Sequence, residues 1–265
     1  MEHHEEAKGY KDLFTDRSSF RRLVLAVAAQ AACQMTGVSA IQYYTPEIYA
    51  SLNIGTGDAL KYQGISNVLS VVAQCCTVLL IDRVGRRWPL ILGNVLNGIC
   101  WIVVTVAIAL FPHASADQQN SLGWAFISIN WVYQVSFSFT MGPLSWIIPA
   151  EIFDTKTRSK GVSIGVMTSF AFNTMIGQVT PVALSTVGWR YFLTFVICNF
   201  TNAIFFWAVM PETSKRPLEE MNALFTSTSW FVAGGRARRI PGNELEIAAT
   251  AVQDEKAGAE VTQVD

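Results

Sequence analysis

Amide, hydroxyl and aromatic side chains recur at helical spacing inside long apolar stretches of this 265-residue chain. Leaving a polar group unpaired in an apolar medium costs on the order of several kcal/mol, so such side chains should face protein or a watery cavity. The candidates for a binding site are Gln34, Ser39, Tyr43, Asn67, Ser70, Trp146 and Asn173. Gln34, Ser39 and Tyr43 fall on adjoining parts of one helical face, and Asn67 and Ser70 share another. This pattern predicts a neutral hydrogen-bonding cavity.

The predicted cavity has no ionisable side chain among its candidate residues, and this limits what it could bind. A proton relay, an ion filter or an amino-acid site normally places an ionisable group within the membrane. The candidate side chains are uncharged, and amides that bond hydroxyls beside aromatic faces that cover C–H groups suit a sugar. Interhelical bonding is the alternative for any single residue, since Ser, Thr, Asn and Gln also join membrane helices at about 0.6 kcal/mol each.

A second set of residues is charged and lies in two short loops. It comprises Asp82, Arg83, Arg86, Arg87, Glu151 and Arg158. We expect Glu151 to pair with Arg86 or Arg87, and Asp82 to face Arg158 or the start of the fifth predicted span. Such pairs would hold helix ends together. The alternative is that these positive charges only set the orientation of the chain in the membrane. That would explain the arginines but not the presence of Asp82 and Glu151 beside them.

The elements that hold these residues are predicted from charge. Only 15% of the residues are charged, against about 25% in ordinary soluble domains, and charge-free windows long enough to span a bilayer recur along the chain. We predict an all-α membrane protein with six transmembrane helices. The predicted spans are 22–51, 59–81, 88–111, 121–151, 159–186 and 189–210. Pro46, Pro143, Pro149 and Pro181 are expected toward the ends or breaks of these helices.

The distribution of lysine and arginine predicts orientation. Thirteen lysine and arginine residues in the loops and near the ends of the spans lie on one side of the membrane, and only Lys61 and Arg190 lie on the other. The positive-inside rule therefore places both termini in the cytosol. Residues 1–21 are assigned to a cytosolic segment, 22–210 to the membrane domain, and 211–265 to a cytosolic tail that is largely disordered from about residue 231. The five cysteines lie in apolar windows and are read as packing residues.

The motifs that carry these residues resemble, in order, those of the sugar porter family of the major facilitator superfamily. Gln34 to Pro46 resembles the Q-x-x-G…Y-Y-x-P pattern of its seventh helix, and Asp82 to Arg87 resembles its D-R-x-G-R-R loop. Gly142 to Trp146, with Glu151 and Arg158, resembles its tenth helix. Asn173 with Gly177 to Pro181 is similar to the eleventh helix of fungal members, and Pro211 to Met221 resembles the terminal P-E-T…L-E-E motif.

The resemblance implies the C-terminal six-helix half of a major facilitator fold. It implies transport of a neutral sugar, hexose or disaccharide, by alternating access, with the seven uncharged candidates as substrate-binding residues and the six charged ones as a cytosolic gating network. Transport would then require a missing N-terminal six-helix half, which in proton symporters of the family carries the coupling carboxylate. Cys33, Ser39 and Phe170 depart from the usual family residues, so which sugar is carried stays open. The expected location is the plasma membrane.

Other functions are weighed against this interpretation. A sugar sensor on the same fold and an inactive truncated product are the alternatives to transport. Gly161 to Gly165 matches G-x-S-x-G, but Ser163 lies in an apolar helix and the nucleophile elbow needs a strand before it. We expect no enzyme activity, cofactor, metal site or nucleic-acid partner; the expected partners are the sugar, the lipid bilayer and, for a symporter, protons.

Overall fold

The computed structural model describes residues 13–14, 17–51, 55–155, 157–213 and 225. These residues form eight α-helices and two short 3-10 turns, and no strand is present among them. The helices are α1 Arg17–Met35, α2 Val38–Ser51, α3 Thr56–Val84, α4 Arg87–Leu110, α5 Ala116–Phe139, α6 Met141–Ile152, α7 Arg158–Thr186 and α8 Phe192–Val209; the 3-10 turns are Phe111–His113 and Gly188–Tyr191. The predicted all-α class is confirmed.

The helices agree with the predicted spans to within a few residues at most ends. Five stretches of the described residues are long and apolar enough to cross a membrane: Arg17–Pro46, Gly57–Val84, Arg87–His113, Arg158–Thr186 and Gly188–Val209. The remaining predicted span, 121–151, corresponds to α5 followed by α6, where amide and hydroxyl side chains lower the hydropathy. The first helix begins at Arg17, inside the segment assigned to the cytosol. The assignments for residues 1–12 and for the tail from residue 231 lie outside the described residues.

Two of the predicted spans are broken. The first span breaks between α1 and α2 at Thr36 and Gly37, and Gly37 has a φ of 95°. The fourth span breaks at Thr140, between α5 and α6. Pro46 and Pro181 lie inside the continuous helices α2 and α7, each five residues before the last residue of its helix, so both lie toward helix ends, as expected, without breaking the helix.

Local hydrogen bonds explain why α7 continues through its proline. Pro181 has no N–H to donate to the carbonyl of Gly177 one turn earlier. The Tyr44 hydroxyl on α2 donates to that carbonyl instead, at 2.7 Å. The hydroxyl of Thr180, the residue before the proline, also bonds the Ile176 carbonyl at 2.6 Å. A neighbouring helix therefore satisfies the backbone group that the proline leaves unpaired.

The helices pack in a few extensive pairs. Helix α4 lies along α8 and α5. Helix α1 lies along α7 and α6, and helix α3 lies along α5. One apolar cluster joins α1, α4, α6 and α8, and includes Leu25, Leu90, Ile148 and Phe206. A second cluster, rich in aromatic residues, joins α2, α4, α5 and α8, and includes Tyr49, Trp101, Phe126 and Phe195.

Candidate functional site

The break between α1 and α2 brings Gln34 and Ser39 together. On a regular helix, residues five apart point about 140° away from each other. At the break the Ser39 hydroxyl instead donates to the Gln34 Oε1 at 2.5 Å. Gly37 permits the turn because its φ of 95° disfavours other residues, and because a Cβ at this position would collide with the Trp101 ring.

Helix α7 completes a polar cluster around this pair. The Gln34 amide donates to the Ser169 hydroxyl at 2.9 Å, and the Asn173 amide donates to the Ser39 hydroxyl at 2.9 Å. The Asn173 Nδ2 also lies 3.4 Å from the Gln34 Oε1, and the Tyr43 hydroxyl donates to the Asn173 Oδ1 at 2.9 Å. We call Gln34, Ser39, Tyr43, Ser169 and Asn173 the amide cluster.

The amide cluster has a buried floor and an exposed rim. Ser39 is completely buried and Ser169 is buried, whereas 51% of Tyr43 is exposed. Gln34 and Asn173 are half-buried between them. A hydroxylated ligand that approached from the exposed side would meet amide and hydroxyl groups that already bond one another, and each new bond would replace an internal one.

The other predicted binding residues do not join the amide cluster. Trp146 on α6 is 55% exposed, and Asn67 on α3 is exposed. The Ser70 hydroxyl donates to the Ser66 carbonyl of its own helix at 2.9 Å. Among the described residues, no hydrogen bond connects these three side chains to the cluster.

Ser169 is a member of the amide cluster that the sequence analysis did not select. Its position four residues before Asn173 places both side chains on one face of α7. That spacing is the signal that could have identified it. A helix rich in small residues offers many such pairs, so spacing alone would not have separated Ser169 from the others.

The charged set forms a compact network around Arg86. The guanidinium of Arg86 donates to both carboxylate oxygens of Glu151, at 2.8 and 3.2 Å, and to Asp82 at 2.8 Å. The predicted ion pair between Glu151 and the arginine loop is therefore present, with Arg86 as the partner. Burial disfavours the charge on Arg86, but the two carboxylates outweigh it, and the pKa of Arg86 is raised.

A residue to which the sequence analysis gave no role, Glu212, holds the start of α4. Its carboxylate accepts from the backbone N–H groups of Arg86 at 2.9 Å and Arg87 at 3.2 Å. The first N–H groups of a helix lack helical partners and carry partial positive charge, so a carboxylate stabilises them. Glu212 therefore connects the segment after α8 to the arginine loop.

The expected contact between Asp82 and Arg158 is wrong, and the remaining arginines of the charged set have other surroundings. Asp82 pairs with Arg86, four residues later in the chain, rather than with Arg158. The Arg158 guanidinium donates to the Phe153 carbonyl at 3.3 Å, since that carbonyl lies beside it at the turn between α6 and α7. Arg83 is exposed, and Arg87 donates to the Trp207 carbonyl at 2.7 Å.

Two alternative chemistries can be examined directly. Ser163 lies within α7 and its hydroxyl bonds the Ser159 carbonyl at 2.7 Å, which is not the strand–turn–helix setting of a nucleophile elbow. Among the described residues, no group of three or more histidine, cysteine or acidic side chains is placed to hold a metal ion.

Comparisons with known proteins agree with this architecture. Residues 1–225 match the profile of the family described as "Sugar (and other) transporter". Sugar transport protein 5 of Arabidopsis thaliana is 32% identical over 201 residues, which are 75% of this chain and 40% of that protein. The MFS glucose transporter mfs1 of Aspergillus flavus is 27% identical over 240 residues, covering 86% of this chain and 45% of that protein.

Solved structures show the same fold. A double-tryptophan mutant of XylE superposes with a TM-score of 0.70 at 22% identity, over 77% of this chain and 43% of that one. The inward-open xylose transporter XylE from E. coli gives a TM-score of 0.64 at 22% identity, over 77% of this chain and 42% of that one. The chain spans less than half the length of these relatives and has a partial major facilitator fold.

Proposed function

The chain belongs to the sugar porter family of the major facilitator superfamily, and from this premise we propose that it supplies one half of the binding site of a carrier for a neutral sugar. The observation that carries the proposal is the amide cluster. Gln34, Ser39 and Asn173 present amide and hydroxyl groups beside the exposed Tyr43 ring, and no member of the cluster is charged. Such groups recognise hydroxyls without requiring a counter-ion.

The uneven burial of the helices supports the requirement for a second half. In the most apolar stretch of Arg17–Pro46, 67% of the residues are buried, against 22% in Gly57–Val84 and 17% in Arg158–Thr186. The two uncovered helices carry exposed amides, among them Asn67, Gln74 and Gln178. Polar side chains are costly against lipid, so this face fits a covering protein half and a watery path better than a bilayer.

Trp146, Asn67 and Ser70 remain candidate sugar contacts within this proposal. Each lies outside the amide cluster, but Trp146 and Asn67 are exposed, so a ligand bound between two halves could reach them. We further propose that both termini are cytosolic, that the carrier lies in the plasma membrane, and that the network around Arg86 acts as a cytosolic gate. The support is the concentration of cations on one side and the paired acids among them.

Uptake measurements in a yeast that lacks its own sugar transporters test the proposal. We would compare this chain alone, the chain joined to a compatible N-terminal half, and Gln34→Ala in the joined protein, with labelled hexoses and disaccharides. Gln34→Ala removes a ligand hydrogen bond and also takes a partner from Ser39 and Ser169, so it should cost roughly 1–3 kcal/mol, or about 5- to 150-fold in affinity. Gln119→Ala is the matched control, because the Gln119 amide bonds carbonyls of the loop before α5.

The outcomes separate the parts of the proposal. Saturable uptake by the joined protein that weakens only in Gln34→Ala supports it. Equal uptake by the 265-residue chain alone would refute the need for a second half, and unchanged uptake in Gln34→Ala would remove that residue from the site. Specific sugar binding with no uptake by the joined protein would favour the sensor alternative. A dependence of uptake on a proton gradient would assign symport.

A further inference from the structure

One backbone carbonyl at the break between α1 and α2 collects side-chain donors from three different helices. The Thr36 carbonyl accepts from the Trp101 indole N–H of α4 at 2.7 Å, from the Tyr133 hydroxyl of α5 at 3.1 Å and from the Asn199 amide of α8 at 3.1 Å. A carbonyl oxygen has two lone pairs, so three donors exceed what a loop carbonyl needs for satisfaction alone.

The surroundings of this carbonyl are closed. Thr36 and Asn199 are completely buried, and Trp101 and Tyr133 are each 1% exposed. The Trp101 ring packs against Phe195, with centroids 4.9 Å apart, and Gly37 lies against the same ring. Donors held this firmly define where the carbonyl must lie. Hydrogen bonds in such a setting gain strength from the low local dielectric.

The amide cluster depends on the geometry that this carbonyl fixes. Gln34 lies two residues before Thr36 on α1, and Ser39 lies three residues after it on α2. Their hydrogen bond of 2.5 Å joins the two sides of the break, so a change in the angle between α1 and α2 would separate them. The position of the Thr36 carbonyl therefore determines whether Gln34 and Ser39 can form this hydrogen bond.

We propose that Tyr133 and Asn199 are positioning residues, which lock the break at the Thr36 carbonyl and so hold Gln34 and Ser39 in register for a sugar. The role in sugar binding rests on the proposed function. The lock itself is a property of the fold, so the two can be tested separately.

The chain offers matched controls for both residues. Asn202 lies on the same face of α8 and donates to the Ala32 carbonyl of α1 at 3.2 Å, before the break. The Tyr191 hydroxyl bonds the Thr180 hydroxyl at 2.8 Å, away from the break. The test variant is Tyr133→Phe with Asn199→Ala, and the control variant is Tyr191→Phe with Asn202→Ala.

The first measurement is a distance across the break, which requires no transport. Spin labels replace the exposed residues Phe20 on α1 and Ala50 on α2, about 45 Å apart along the helix axis. Cys75, Cys76 and Cys198 are changed to serine, and the 265-residue chain is reconstituted in nanodiscs. We expect the distance distribution to broaden or shift in the test variant and to stay as in the unsubstituted chain in the control. An unchanged distribution in the test variant would overturn the lock.

The second measurement is the KM for sugar uptake by the joined two-half protein. We expect KM to rise about 5- to 10-fold for each lost hydrogen bond, with the maximal rate per folded molecule within about twofold. A loss of folded protein alone would lower the maximal rate and leave KM unchanged. A broadened distance distribution with an unchanged KM would overturn the positioning role. If the unsubstituted joined protein shows no uptake, the proposed function is refuted, and the distance measurement still decides whether the lock exists.

Discussion

Gly85 lies so close to Glu212 that a Cβ at position 85 would come within 2.8 Å of the Glu212 carboxylate. Gly85 also has a φ of 89° and a ψ of −179°, a conformation that is essentially restricted to glycine and costs other residues about 1–3 kcal/mol. A side chain at position 85 would therefore strain the backbone and displace the Glu212 carboxylate from the Arg86 and Arg87 N–H groups that it accepts from.

Gly85→Ala should lower the stability of the protein by about 1–3 kcal/mol, because the new methyl group adds steric conflict to backbone strain. The check is the fraction of detergent-solubilised protein that stays monodisperse after heating. Gly64→Ala on α3 is the control, since nothing lies within 4 Å of a Cβ there. Equal behaviour of the two variants would show that the contact with Glu212 is unimportant.

Glu151→Gln should slow transport by the joined two-half protein while leaving KM within about twofold. It removes one of the carboxylates that the Arg86 guanidinium contacts, and the hydrogen bonds of Glu151 join it to Arg86 rather than to the amide cluster. The measurement is kcat and KM for uptake, with the exposed acid Asp117 changed to Asn as the control. A raised KM at normal kcat would contradict a gating role.

The pH dependence of uptake should not arise from Arg86. Because the pKa of Arg86 is raised in the folded state, its contribution to stability is fully present below the ordinary arginine pKa and is lost only above that value. Between about pH 5 and 9, therefore, Arg86→Lys should change the rate but not the shape of the pH profile, since lysine keeps the charge and loses the planar fork. A profile whose midpoint moves in Arg86→Lys would refute this.

Ser169→Ala should raise KM by about 5- to 10-fold, because the Gln34 amide loses the acceptor that orients it. The measurement is the concentration dependence of uptake. Ser163→Ala is the matched control on the same helix, since its hydroxyl bonds only within α7 among the described residues. If both variants behave alike, Ser169 has no part in the site.

Tyr44→Phe should destabilise the protein by about 1 kcal/mol, because it leaves the Gly177 carbonyl without the hydroxyl that replaces the N–H missing at Pro181. In a Pro181→Ala background the restored N–H can serve that carbonyl, so Tyr44→Phe should then cost less. A double-mutant cycle on thermal unfolding measures the difference. Additive effects would show that the two residues act independently.

The helix ends could be predicted from the sequence because charged side chains lie outside the hydrocarbon core of the membrane, however the helices pack. Arg87 and Arg158 each begin a helix, one residue before the spans predicted from residues 88 and 159. The positions of the breaks could not be predicted in the same way. Pro181 lies in a continuous helix because Tyr44 bonds the carbonyl that the proline leaves unpaired, whereas the break at Thr36 depends on Trp101, Tyr133 and Asn199, which come from elsewhere in the chain.

In the candidate site, too, the residue types could be predicted from the sequence, but some of their partners could not. Gln34, Ser39, Tyr43 and Asn173 were selected as polar residues in apolar stretches, and the structure brings them together. Ser169 was not selected, since only the fold shows that it faces Gln34. The partner of Asp82 was predicted wrongly because a helix end can satisfy its charge locally, with Arg86, before any distant residue is needed.

The internal pairing of the amide cluster has a kinetic consequence. A ligand that exchanges existing hydrogen bonds for new ones gains little net free energy from each, so its residence time should be short and its dissociation constant should fall nearer the millimolar than the nanomolar range. A carrier benefits from that weakness, because turnover requires the cargo to leave as readily as it enters. The bonds that keep the empty site in order are the ones that would speed release.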